Sequence, residues 1–384
     1  MKTIIKATFT SVLLFLLSFN SIFAQKNGDD VVIGKYVKIF SKILNEERTM
    51  LINLPFGYES SADTYPVLYA LDGDPVSLGE ANVARNSLAM RQPTQYAPNM
   101  IIVAIANTDR SRDMLGGDTS PKFLKFISEE LFPFIEKGYR ADGTKRILYG
   151  GSDAGVFVMY SFLENPDNFC GYIVSSPTLF ARDKYFSDKT KELLFNKINL
   201  NKYLYITYGG NDFKEVLDYL KIYLPVLEEL KQKGLRLDIK FIPDADHMPY
   251  GDLRAGLKQM FDGYGYPGKK LFSEGLDSLK TYYERYSKKV GYSVKPPNAA
   301  VTFLGRSLVN RNNIKESIST LEFGLQIYPE DRLLTVSLAE SYYLDNNIDL
   351  AKKYYLKAKE LFGRINSQPP PFKTWTEMKK IFEK

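Results

Sequence analysis

Ser152 stands in the run RILYGGSDAG, residues 146–155, where an apolar strand pattern breaks into Gly150-Gly151, the serine and Asp153-Ala154-Gly155 ahead of an apolar helix. A strand, a tight turn and a helix in that order lift a serine hydroxyl onto a sharp corner above a sheet edge. Small neighbours are needed there because the turn crowds the backbone. The usual spacing is G-x-S-x-G; here Ala154 takes the second glycine position and the glycine falls at 155. A serine hydroxyl is a weak nucleophile until a base removes its proton. The chain has one histidine, His247, just past the last strand pattern in Asp244-Ala245-Asp246-His247. Asp212, in Gly209-Gly210-Asn211-Asp212 directly after another strand pattern, is the acid best placed to orient that base. Glu215 and Asp218 are fallback acids that read as solvated helix residues, and Asp244 and Asp246 lie too close along the chain to brace the ring. Ser152, Asp212 and His247 each follow a different strand, and loops at the carboxyl ends of parallel strands share one edge.

Acyl transfer also needs donors for the developing oxyanion. The backbone N–H of Asp153 is the first candidate, and the loop Asp72-Gly73-Asp74 offers a second through Gly73 or Asp74; Pro75 has no N–H. Arg110 and Arg112 follow the run MIIVAI on the same expected edge. They can hold a carboxylate, a phosphate or a polar acyl group; the alternative is structural pairing with Asp109 and Asp113. Cys170, between a helix and an apolar strand, reads as a buried structural thiol. No metal or organic cofactor is required by this chemistry, and one cysteine with one histidine excludes the cysteine-cluster and multi-histidine metal motifs.

The elements that must position these residues alternate. Strand patterns fall at Val37–Ile43, Thr49–Leu54, Pro66–Leu71, Met100–Ile105, Arg146–Tyr149, Tyr172–Ser175, Tyr203–Tyr208 and Leu237–Ile242. Helical spacing appears at Lys122–Ile135, Val156–Leu163 and Lys214–Lys231. Continuous apolar runs such as PVLYAL are expected of strands covered on both faces. This is the pattern of an α/β layered domain with a mostly parallel sheet. Arg182–Lys197 is a candidate small lid.

The chain has 384 residues, 44% hydrophobic and 25% charged, which fits two packed domains and excludes a disordered chain. Residues 1–24 read as a secretory signal: Lys2 and Lys6, then the apolar run Val12–Leu17, then Ala24 before Gln25. The apolar stretch is short of the roughly 20 residues a membrane span needs. The mature protein is therefore expected to be periplasmic or secreted, without a membrane span. Losing the two leader lysines lowers the net charge from +6 to +4, and interleaved Lys and Glu leave no nucleic-acid patch. The alternation ends near residue 262, and residues 263–297, opening with GYGYPG, read as a helical linker.

Residues 298–365 then repeat at an offset of 34: Asn312-Asn313-Ile314 recurs as Asn346-Asn347-Ile348, with Leu304 matching Leu338 and Gly305 matching Ala339. Period and residue classes are those of two tetratricopeptide-like units. Residues 366–384, with the sole tryptophan Trp375, are expected to cap them.

Residues 35–262 resemble the α/β-hydrolase superfamily, a three-layer sandwich, and within it the esterase family that includes esterase D, enterochelin esterases, feruloyl esterases and mycolyltransferases. The resemblance is carried by YPVLYALDGD at 65–74, NTDRSRD at 107–113, the Ser152 corner, Pro166-Asp167 and Ser175-Ser176-Pro177. Several members resembling this chain also carry C-terminal tetratricopeptide helices after a segment like Gly291–Pro297. The resemblance implies Ser152 as nucleophile, His247 as base, Asp212 as acid, and oxyanion donors from Asp153 and the Asp72–Asp74 loop. Gly151, Asp153 and Ala154 depart from it, standing where histidine, an apolar residue and glycine are usual. The Asp153 carboxylate, if turned inward, would oppose the charge the site must stabilise. The expectation is a serine-dependent carboxylic ester hydrolase for a small-molecule, carbohydrate or siderophore-type ester. Its alternative is an inactive hydrolase fold whose helical repeats bind a protein partner or a second copy of the chain.

Overall fold

The computed structural model describes residues 30–364 except 61–62, 91–93, 116–119 and 197–198, and residues 367–383 except 371. The leader pattern over residues 1–24 lies outside the described residues. Strands β1 (Lys35–Ser41), β2 (Glu46–Asn53), β3 (Tyr65–Ala70), β4 (Ile101–Ile105), β5 (Ala141–Gly151), β6 (Gly171–Ser175), β7 (Tyr203–Gly209) and β8 (Arg236–Ile242) form one eight-stranded sheet. Its order is β1-β2-β4-β3-β5-β6-β7-β8. β1 and β2 pair antiparallel, β2 joins β4 antiparallel, and all pairs from β4 through β8 are parallel.

Alternate side chains of the central strands enter two different cores, as the period of 2 requires. Val67 and Tyr69 of β3, Ile101 and Val103 of β4, and Tyr172 and Val174 of β6 share one core with helices α3 (Ser120–Phe126), α4 (Phe132–Gly138), α5 (Asp153–Glu164) and α7 (Lys214–Glu228). Leu68, Ile102 and Ile173 face the other, under α1 (Pro75–Ala89) and α8 (Asp252–Met260). The sandwich therefore has three layers, as an α/β-hydrolase-like fold does. Helices α1 and α8 escaped the sequence reading. The buried stripe of α1 is built largely from Ala81, Ala84 and Ala89, a faint apolar signal, and α8 has only nine residues. The segment read as a lid is helix α6 (Asp183–Phe195), and its Phe186 and Leu193 are buried in the first core. It is a packed wall element, because its apolar side chains are already spent inside.

Short helices α2 (Arg110–Met114) and α9 (Gly268–Leu271) precede the main C-terminal helices α10 (Leu276–Val290), α11 (Asn298–Asn310), α12 (Ile314–Ile327), α13 (Arg332–Leu344), α14 (Ile348–Gly363) and α15 (Lys373–Phe382). Asn312 and Asn346 take the left-handed backbone that ends α11 and α13, which explains their recurrence. Residues 263–297 are not a separate linker. Tyr266, Leu271, Leu279, Tyr283 and Val290 share one core with Leu304, Leu321, Leu338 and Tyr355. Trp375 of α15 stacks on Tyr355 with ring centroids 4.3 Å apart.

The helical body docks on the sheet at the amino ends of its parallel strands. Tyr264 packs against both bodies' cores, and the Lys145 ammonium of β5 lies 5.4 Å from the Tyr292 ring centroid. A cavity of about 770 Å³ between the bodies is lined by Tyr65, Lys145, Cys170, Tyr264, Tyr328 and Asp331 among others. Burial pushes the Cys170 thiol up to about 11, in keeping with an inert role. No described helix is long and apolar enough to cross a membrane.

Candidate active site

The opposite ends of the strands gather the residues singled out above. β5 runs to Gly151, paired with Ser175 of β6, and the Ser152 N–H donates to the Ser175 carbonyl at 2.9 Å. Ser152 then turns with φ 56° and ψ −124°, and α5 begins at Asp153. A non-glycine residue in that region costs on the order of 1–3 kcal/mol, sustained by the packing around it. The Ser152 side chain does not cap the helix and stays partly exposed. The departure at Ala154 is accommodated because Gly150 faces it: a methyl on Gly150 would lie 3.0 Å from the Ala154 Cβ.

The expected base and its acid come from neighbouring loops after β8 and β7. Asp212 Oδ1 lies 2.6 Å from His247 Nδ1, and the Asp212 carboxyl is fully buried. The same oxygen accepts the Phe213 N–H at 2.7 Å. The Phe213 ring packs on the imidazole with centroids 4.8 Å apart. Of the fallback acids, Glu215 is exposed and Asp218 pairs with Lys214; Asp244 and Asp246 are exposed. The two loops interlock through backbone. The Asn211 N–H donates to the Ala245 carbonyl at 2.9 Å, and a methyl on Gly209 would lie 2.1 Å from that carbonyl oxygen.

Met248 ties this pair to the serine corner. Its N–H donates to Ser176 Oγ at 2.9 Å, and its methyl group fills the space above Gly151, where a Cβ would lie 2.3 Å from the Met248 Cε. A larger side chain at Gly151 would have to displace the flexible end of Met248. His247, with 22% of its side chain exposed, is thus the residue before the one that covers the turn into Ser152.

The expected oxyanion donors fare unequally. Asp153 opens α5, where an N–H has no intrahelical carbonyl to bond. The Gly73 N–H donates to the Ile105 carbonyl at 2.7 Å, so that donor is withdrawn by the backbone. The Asp74 N–H donates to Ser77 Oγ at 2.8 Å, within the capping box of α1. Of the two, only Asp74 has a partner that a side-chain rotation can remove.

The arginines are corrected. Arg112 is committed to structure: its guanidinium donates to Glu46 at 2.9 and 2.6 Å and to Asp113 at 2.8 Å. Those bonds, Arg112 first, bring the Glu46 carboxyl down to about 2. Arg48 completes that cluster, buried between Asp113 at 2.6 Å and Glu46 at 2.9 Å. Arg110 does lie at the site, but its guanidinium is held by Asp72 and Asp153 rather than standing open for a substrate group. Its structural pairing is therefore with Asp72 and Asp153, not with Asp109 or Asp113. Thr178 Oγ1 donates to Asp153 Oδ1 at 2.7 Å, so both oxygens of that carboxylate are engaged sideways.

Sequence reasoning missed Met248, Phe213, Thr178 and the Asp72 side chain. Phe213 and Met248 directly follow Asp212 and His247, so adjacency was the one signal that could have found them. Thr178 is within contact of Asp153 only through the fold.

Comparison with known proteins supplies the family. Residues 41–202 match the esterase family model described as "Putative esterase". The chain is 32% identical over 241 residues to an uncharacterized protein, YjcH, of Bacillus subtilis (strain 168), covering 58% of this chain and 92% of that one. It is 37% identical over 184 residues to the ferri-bacillibactin esterase BesA of the same organism, covering 41% of this chain and 63% of BesA. Among solved structures, an IroE-like serine hydrolase from Shewanella oneidensis superposes with a TM-score of 0.66 at 22% identity, over 77% of this chain and 99% of that one. With its mixed sheet, its Ser152 corner and these matches, the chain belongs to the esterase family.

Proposed function

We propose that the protein is a serine esterase working through an acyl-enzyme. Ser152 Oγ attacks the ester carbonyl as His247 takes its proton; the carbonyl electron pair moves to oxygen, and the tetrahedral intermediate expels the alcohol, which His247 protonates. Water, deprotonated by the same imidazole, then releases the acid. Asp212 holds the imidazole through Nδ1, which leaves Nε2 as the nitrogen that would take the serine proton. The observation that carries this reading is the 2.6 Å contact of His247 Nδ1 with a fully buried Asp212 carboxyl, one loop from a strained serine corner. Oxyanion binding is assigned to the Asp153 N–H, and to the Asp74 N–H once Ser77 turns away.

We assign the substrate to the siderophore-type esters, following the activity for which BesA is named. The rim supports an aromatic acyl group: Phe180, Phe213 and Tyr250 are 39%, 58% and 97% exposed on loops after β6, β7 and β8. The leader pattern would put this reaction outside the cytoplasm. The non-catalytic alternative drew on Asp153 and Ala154. The engagement of Asp153 by Arg110 and Thr178, and the fit of Ala154 over Gly150, remove that support. Purified mature protein should hydrolyse a short nitrophenyl ester and iron-loaded bacillibactin, and Ser152→Ala should abolish both. Equal rates in the two proteins would overturn the reading.

A further inference from the structure

An acyl oxygen bound by N–H groups of the loop after β3 and of the first turn of α5 would sit between those two segments. One side chain spans the same two segments. Arg110, at the start of α2, donates through Nε and Nη2 to both oxygens of Asp72, at 2.8 and 3.0 Å. Through Nη1 it donates to Asp153 Oδ2 at 2.6 Å. Each carboxylate has a second fixing: Asn107 Nδ2 donates to Asp72 Oδ1 at 2.7 Å, and Thr178 Oγ1 to Asp153 Oδ1 at 2.7 Å. Asp72 itself takes φ 55°, so its loop leaves β3 through an unfavourable turn. The chain Asn107–Asp72–Arg110–Asp153–Thr178 links the segments that follow β3, β4, β5 and β6.

We propose that Arg110 is a positioning residue: its planar fork fixes the gap between the β3 loop and the start of α5, and so aligns the oxyanion donors on either side. The inference rests on the serine-esterase reading above. It also explains how this chain tolerates an aspartate beside the oxyanion site. The guanidinium offsets the carboxylate and turns it away along the rim. A lysine is a point charge on a flexible stem and cannot meet three oxygens in one plane. The Arg110, Asp72 and Asp153 side chains are 36%, 33% and 29% exposed. Ion pairs this open add little to folding stability, so the effect belongs in the rate.

The test compares the wild-type protein with Arg110→Ala and Arg110→Lys on a nitrophenyl ester. A second readout is affinity for a trifluoromethyl ketone, whose carbonyl carbon bonds to Ser152 Oγ while the serine proton passes to His247 and the ketone oxygen becomes the bound alkoxide. Losing an oxyanion donor outright costs roughly 10²–10³ in kcat, and misaligning one is expected to cost about 10–100-fold. Arg110→Ala should therefore lower kcat by that factor with KM nearly unchanged, and ketone affinity should fall in parallel. Arg110→Lys should lie between. A kcat for Arg110→Ala within about twofold of wild type, or a rise in KM with ketone affinity intact, overturns the proposal. If Arg110→Ala does not fold, Arg110→Lys decides on the same criteria. Activity surviving in Ser152→Ala removes the esterase reading and this inference with it; an inactive Ser152→Ala beside a fully active Arg110→Ala removes the inference alone.

Discussion

At the scale of single residues, the site is a set of polar atoms whose partners are assigned in pairs. The Asp212 Oδ1 atom serves both His247 Nδ1 and the Phe213 N–H. Asp212→Asn keeps the shape but presents an N–H or a neutral oxygen to the ring, which disturbs the tautomer the proposed mechanism requires. The expected outcome is a fall in kcat of about 10²–10⁴ with little change in KM, measured on the nitrophenyl ester. A kcat retained within a few-fold would transfer the orienting role elsewhere. Ser152, Asp212 and His247 were singled out because each sits just past a strand pattern, and the fold sets Asp212 against His247. The partners of Arg110 were not. Asp72 and Asp153 lie 38 and 43 residues away and meet the guanidinium only when the β3, β4 and β5 loops come together. Local spacing suggested Asp109 and Asp113 instead, but Asp109 caps its own helix through the Arg112 N–H.

At the scale of elements, β2 and α2 are joined by the four charged groups Glu46, Arg48, Arg112 and Asp113. Glu46 titrates near 2 in the folded chain, below the 4.5 of an unperturbed glutamate. A carboxylate depressed by folding adds stability above its unfolded value and loses it as the pH falls toward the folded one. The melting temperature of wild type should therefore exceed that of Glu46→Gln most at pH 5 and above, with the gap closing between about pH 4.5 and 2. A gap that stays constant through acid would show that Glu46 acts by packing alone. The strands of this layer were readable from continuous apolar runs. The register that brings Glu46 onto α2 was not, since β2 alone runs against the other strands and nothing local announces it.

At the scale of the whole molecule, the two bodies occupy opposite ends of one sheet. The proposed site residues lie past the carboxyl ends of β5, β7 and β8, and the helices pack where β5 and β6 begin. The segment expected to be a spacer from residue 263 is not one, because Tyr266 through Val290 already face the helical core. Breaker residues mark where a pattern stops; they do not reveal what the next helix buries. The 34-residue recurrence, by contrast, returned as helices starting at Asn298 and Arg332, and at Ile314 and Ile348. The sole tryptophan, Trp375, sits at the far end of that body, 5% exposed against Tyr355. Its fluorescence is therefore a native optical reporter of the C-terminal helical body, silent about the body that holds Ser152. Titrated with denaturant, a red shift that trails or precedes the loss of ester turnover would reveal two melting units; coincident midpoints would mark a single one.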